Sequence, residues 1–217
     1  MNRAALFSDA SRPKRILALG AHADDIEIGC GGTLLRLLSE QRQLEVRWVV
    51  LCATPERARE ARASAAAFLE GVERCDVVVK DFRDGFLPYV GAAVKDAFEE
   101  LKRDFTPELV FTHCRDDRHQ DHRLVSELTW NTWRNQLVLE YEIPKYDGDF
   151  GAPNLFFELP EETVQRKIEL VLRHFGTQAS KHWLTRDLLR SVARIRGMEC
   201  VAKEGLAEAF YARKMLF

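Results

Sequence analysis

An α/β fold, with a mostly parallel sheet between helical layers, is predicted by three observations. Short apolar, β-branched runs alternate with helical patterns up to about residue 136. The 217 residues suit one α/β domain with a sizeable core and are too few for two, so 1–217 is expected to be a single domain. Two clusters rich in His and Asp follow directly behind apolar runs, where a parallel sheet carries its functional loops.

The elements follow in order. RILALG, residues 15–20, reads as a first strand, residues 33–41 have helical spacing, and residues 44–52 form a second strand. Thr54 is a plausible N-cap, with Pro55 in the first turn and Glu56 as an early acid, starting a helix through ARASAAAFL. CDVVVK (75–80) is a third strand, residues 90–105 a third helix, and ELVFTH (108–113) a fourth strand. The resulting βαβαβαβ order, with right-handed crossovers, predicts a Rossmann-like three-layer sandwich. Beyond residue 136 the alternation weakens. Residues 137–143 and 155–159 are expected as strands, 160–175 and 185–195 as helices, with the loop PKYDGDFGAPN between the strands.

Composition excludes several classes. Hydrophobic residues at 46% and charged residues at 30% describe an ordinary globular protein. A net charge of -2 gives no clustered basic surplus, so nucleic acid is not an expected partner. The Arg-rich stretches 57–62 and 186–196 read as solvated helix faces. Five cysteines without a CxxC pair suggest neither a disulfide framework nor a thiolate zinc site, and reduced thiols fit a cytoplasmic location. The longest apolar run, residues 48–53, is far shorter than a membrane span, and the opening residues lack an apolar stretch of signal-peptide length. Phe156, Phe157, Phe210, Tyr211 and Phe217 could cover hydrophobic surface or form a contact in a homo-oligomer.

The chemistry concentrates in AHADDIE (21–27) and HCRDDRHQDH (113–122). Four of the six histidines, His22, His113, His119 and His122, lie in these segments with Asp24, Asp25, Asp116, Asp117 and Asp121. Adjacent carboxylates such as Asp24 and Asp25 repel and require solvent, a proton or a cation. Imidazole and carboxylate at an open rim suit zinc or a similar divalent ion, and three protein ligands would leave a position for water. His113 either joins the site from outside or finishes its strand. The glycines from Gly29 to Gly32 lack the spacing of a dinucleotide loop and read as small residues that let a helix pack closely on the sheet. Cys114, Trp130 and Trp133 read as packing residues, and His174 and His182 as helix-end histidines.

AHADDIEIGCGGTL resembles the first motif of the LmbE-like (PIG-L) metal-dependent N-deacetylases, and DRHQDHR resembles their second. Arg57-x-x-Glu60, Asp84-Gly85-x-Leu87 and the segment 207–210 also match that family's habits. Ala23 and Gln120 stand where the family carries prolines and Ile26 where it often has an acid, none of them a proposed ligand. The resemblance implies an LmbE-like fold and one zinc, or similar divalent metal, per chain held by His22, Asp25 and His122. It implies Asp24 as general base, His119 as acid or electrostatic stabiliser at the reacting carbonyl and leaving nitrogen, and Asp121 as the group that orients a histidine. Arg57 would grip substrate hydroxyl or phosphate groups. The implied reaction removes an N-acetyl group from a small-molecule amino sugar of the N-acetylglucosaminyl type. Two alternatives stay open: a non-catalytic sugar- or nucleotide-binding domain of the same fold, and a metal-dependent phosphoesterase with Asp116 and Asp117 as further ligands.

Overall fold

A computed structural model describes residues 14–41 and 43–215, so Phe217 and residues 1–13 lie outside it. Among the described residues seven strands form one sheet: β1 (Arg15–Gly20), β2 (Glu45–Val50), β3 (Arg74–Val79), β4 (Leu109–His113), β5 (Leu137–Tyr141), β6 (Leu155–Glu158) and β7 (Ala207–Ala212). Their spatial order is β3-β2-β1-β4-β5-β7-β6. The first five strands run parallel, and β7 lies antiparallel between β5 and β6.

β1 is buried on both faces because its side chains serve two cores in alternation. Ile16 and Ala18 face the layer of α1 (Asp25–Glu40), α2 (Pro55–Phe68), α5 (Glu161–His174) and α6 (Arg186–Glu199). Leu17 and Leu19 face α3 (Gly91–Asp104) and α4 (Gln120–Thr132). Each fully buried Leu or Ile of this strand contributes about 1.5–3 kcal/mol of transfer free energy. Thr54 caps α2 by accepting the Arg57 N–H through its hydroxyl, with Pro55 at the first helical position.

The structure departs from the sequence expectations in particular places. α1 begins at Asp25, eight residues before the helical spacing at Thr33 is legible, because three glycines interrupt the apolar pattern. Those glycines sit inside the helix where neighbours press close. A Cβ on Gly29 would overlap the Tyr141 ring, and one on Gly32 would crowd Leu159 and the Glu208 carboxylate. A Gly29→Ala chain should lose about 1–3 kcal/mol in a denaturant titration, because Tyr141 is fixed by its hydroxyl donating to Leu19 O at 2.6 Å. An unchanged midpoint would show that the helix shifts freely.

Strand β7 was not expected as an element, since AEAFYA is short and the alternation has already faded upstream. Phe210 belongs to this strand and is buried. The Arg-rich stretches are not uniformly solvated. Arg57 is mostly buried against Asp24, and Arg196 is buried in ion pairs with Glu142 and Glu199. Both lie on the inward faces of helices whose remaining arginines are exposed.

Candidate active site

The sheet order reverses between β1 and β4, each of which continues in sequence on opposite sides, so a crevice opens beyond their carboxyl ends. Residues 21–24 follow β1 and lead into α1, and residues 114–119 follow β4 and lead into α4, placing both His/Asp clusters at that crevice. Two helices also begin there. α1 starts at Asp25 and α4 at Gln120, and their N-terminal dipoles favour the carboxylates of Asp25 and Asp121 in the first turns.

Three donor atoms form a compact triangle. His22 Nδ1 lies 3.1 Å from His122 Nε2 and 3.3 Å from Asp25 Oδ2, and the last two are 3.6 Å apart. Tetrahedral zinc with bonds of about 2.0–2.1 Å requires ligand edges of about 3.3–3.4 Å, so this triangle fits a single small divalent ion. Other sets also converge: His22 with His119 and His122, His22 with Cys52 and Asp121, and Asp25 with His113 and His122 each bring ligand atoms within 4.8 Å. Hydrogen bonding separates them. His113 Nε2 accepts the Ala21 N–H at 3.0 Å, and His119 Nδ1 accepts the Asp121 N–H at 3.2 Å, which places the His119 ring proton on Nε2 as a donor. Burial pushes the Cys52 thiol up to about 12, a poor metal ligand.

Each proposed imidazole ligand has a carboxylate at its far nitrogen, the arrangement that fixes tautomer and ring orientation at metal sites. His22 Nε2 meets Asp84 Oδ1 at 3.0 Å and Asp121 Oδ2 at 3.3 Å. His122 Nδ1 meets Asp117 Oδ2 at 3.0 Å. Asp121 is itself held by the N–H groups of Gly85 at 2.7 Å and Leu87 at 3.0 Å. Gly85 reaches this position with φ of 78°, a region that side chains other than glycine rarely adopt. Gln120, at the first position of α4, donates to Gly85 O at 3.3 Å and so ties the 84–87 turn to the second motif.

The buried acids and imidazoles of the cluster shift one another strongly. Burial works against a proton on His22, yet the Asp25 carboxylate and hydrogen bonds to Asp121, Asp25 and Asp84 raise its pKa well above the ordinary value. Burial pushes Asp25 up, but His122, His113 and His22 hold it well below the carboxylate range. Burial and the neighbouring His113 bring His122 down to about 4, so its ring is neutral and offers a lone pair. Two imidazole nitrogens and one carboxylate oxygen at the triangle are a donor set that suits a divalent cation, while the second acid behind β1, Asp24, is turned to Arg57.

Asp24 points elsewhere. Its carboxylate meets Arg57 Nη2 at 2.8 Å, and burial raises its pKa despite that cation. Arg57 continues to Thr177 Oγ1 at 3.1 Å and Glu60 at 3.3 Å, so the proposed substrate-gripping arginine is also a clamp on Asp24. His119 is half-buried, and burial with the nearby His22 lowers its pKa, leaving a neutral imidazole with Nε2–H directed away from its helix cap. The structure thus gathers His22, Asp24, Asp25, Arg57, His119, Asp121 and His122 in one crevice. Asp116 lies outside it, paired with Arg213, whereas Asp117 and Asp84 enter it. The cue for Asp117 was weak, because acids in loops are common, whereas Asp84 stood in the Asp84-Gly85-x-Leu87 segment that resembles the family. His113 stacks on His122 with ring centres 3.8 Å apart and brings Nε2 to 3.2 Å from Asp25 Oδ2, so it lies directly against two of the proposed ligands.

The PIG-L family, described as GlcNAc-PI de-N-acetylase, matches residues 17–133 of this chain. An Escherichia coli K12 protein described as an uncharacterized deacetylase, YaiS, is 31% identical over 180 residues, covering 78% of this chain and 95% of the relative. The chain belongs to the PIG-L family. Among solved structures, the N,N'-diacetylchitobiose deacetylase of Pyrococcus horikoshii shares 20% identity and superposes with a TM-score of 0.65 over 91% of this chain and 83% of its own. GalB, the 4-carboxy-2-hydroxymuconate hydratase of Pseudomonas putida KT2440, shares 18% identity with a TM-score of 0.70 over 94% and 98%. At these identities the structures establish the LmbE-like fold alone. As a PIG-L protein the chain is a deacetylase, of a family of metal-dependent amide hydrolases. Among the described residues no helix is long and apolar enough to cross a membrane.

Proposed function

We propose that this PIG-L chain hydrolyses the N-acetyl group of a small amino sugar of the N-acetylglucosaminyl type, with one zinc held by His22, Asp25 and His122. The observation that carries the reading is the donor triangle, with Asp24 beside it on a separate clamp. A divalent ion bound there supplies Lewis-acid polarisation of the acetyl carbonyl and makes water acidic enough to ionise near neutrality.

The chain's own residues do the rest. Asp24 accepts the proton of the water whose oxygen attacks the acetyl carbon, and Arg57 fixes the carboxylate oxygen that does not receive it. His119 Nε2–H donates to the oxygen on which negative charge develops, its ring aimed by the N-cap bond from Asp121. The carbon–nitrogen bond then breaks, the nitrogen takes up a proton, and acetate and a primary amine leave. Asp121 and Asp84 keep His22 in one tautomer, which is a positioning role. The N-acetylated sugar of the Pyrococcus relative's name supports the substrate class.

The test combines metal analysis with a substrate panel. Purified chain should carry about one zinc, matching three ligands and an open position, and release new primary amine from N-acetylated sugars or sugar nucleotides. Two metals per chain would favour a phosphoesterase. Metal without amine release from any panel member would favour the sugar- or nucleotide-binding alternative.

A further inference from the structure

We propose that Lys145 is a positioning residue of the metal centre, pinning Asp117 so that Asp117 presents Nε2 of His122 to the ion. The proposal rests on the reading of His122 as a ligand. Lys145 lies in the loop after β5, outside both motifs, yet its ammonium is used completely at the back of the site. It donates to Asp117 Oδ2 at 2.9 Å, to Asp149 Oδ1 at 2.8 Å and to Ile143 O at 3.3 Å. An ammonium has three donors, and all three are occupied.

The Asp117 carboxylate is gripped on both oxygens. Oδ1 accepts the His119 N–H at 2.8 Å, while Oδ2 takes His122 Nδ1 at 3.0 Å together with Lys145. Two-point attachment fixes the carboxylate plane, and that plane sets the His122 ring. Asp149 closes a loop by accepting the Arg118 N–H at 2.8 Å, so the β5 loop and the second motif are joined around one cation. Without Lys145 two nearly buried carboxylates would lose the positive charge between them, and Asp117 would keep only the His119 N–H on Oδ1 and His122 itself on Oδ2, a weaker hold on the carboxylate plane. His122 would keep its place on α4 with its orientation less firmly set.

Partners of this kind behind a metal ligand typically carry 10–100-fold in affinity, and that is the effect expected here. Metal-free protein is titrated with zinc against a chromophoric chelator for the natural chain, Lys145→Met, Lys145→Arg, Asp149→Asn and His122→Ala, with the visible spectrum of the cobalt-loaded protein as a report on ligand geometry. Lys145→Met should bind zinc roughly 10–100-fold more weakly and show an altered cobalt spectrum, with most of the affinity restored in Lys145→Arg. Zinc binding by Lys145→Met equal to that of the natural chain overturns the proposal, as does weakening with an unchanged cobalt spectrum and no rescue by Arg. Should Lys145→Met fail to fold, Asp149→Asn carries the test, and natural-level zinc affinity in that variant counts against the proposal. His122→Ala binding zinc as tightly as the natural chain would instead remove the ligand reading itself.

Discussion

Asp24→Asn should retain its zinc and lose roughly two to four orders of magnitude in amine release at every zinc concentration, the loss typical of a missing general base. Asn keeps the shape of the side chain and an oxygen for Arg57, so the 21–25 turn and the triangle behind it stay in place. Asp25→Ala should fail in the opposite sense. Its Oδ2 is an edge of the triangle, and it also accepts the His22 N–H at 2.6 Å, so this variant loses metal affinity and recovers part of its activity when zinc is raised. Neighbours in sequence thereby separate into a proton acceptor and a ligand. Bound metal and amine release measured across a zinc titration distinguish them, and equal metal loss in both variants would mean that the two acids bind the ion jointly.

His119→Ala is expected to keep zinc and to lose about 10²–10³-fold in turnover, as when one donor to a developing oxyanion is deleted. The ring sits at the N-cap of α4 and accepts the Asp121 N–H, so the substitution also removes a cap worth about 1 kcal/mol of local stability. That cost is small beside the catalytic loss and is measured separately by thermal unfolding. A zinc-free His119→Ala protein would make His119 a ligand and reassign one vertex of the triangle, an outcome the His22, His119 and His122 grouping allows geometrically.

The first five strands were legible because each carries a short apolar run, nearly all buried in β1 and β4 and more exposed in the edge strand β3, and the two polar clusters stood out against them. The crevice residues followed from position: His and Asp at the ends of β1 and β4 must share one rim. What escaped the sequence is relational. Asp117 becomes informative only once its carboxylate is seen on His122, and Lys145 once a loop 28 residues from Asp117 folds back to meet it, whereas Asp84 already stood in a segment matching the family and gains its role on His22 from the structure. The start of α1 was hidden for a different reason. Glycines that permit close packing erase the apolar period that marks a helix, so the segment carrying Asp25 and Glu27 looked like a loop. β7 was missed because it follows two helices with no strand between them and enters the sheet antiparallel to β5 and β6, outside the alternating pattern.

That last strand has a consequence for synthesis. β7 occupies the place between β5 and β6, so the strand pairing that β6, made some fifty residues earlier, finds among the described residues forms only after residues 207–212 have left the ribosome. The same strand delivers Glu208, whose carboxylate takes the N–H groups of Gly32 at 2.8 Å and Thr33 at 2.6 Å and the ammonium of Lys167 at 2.6 Å. A nascent chain halted before β7 therefore holds every proposed ligand of the ion while the middle of α1 still faces a gap and a buried lysine lacks its counter-charge. Completion of the sheet is a late, long-range event, and the packing behind α1 on which the rim rests closes only after residues 207–212 have emerged.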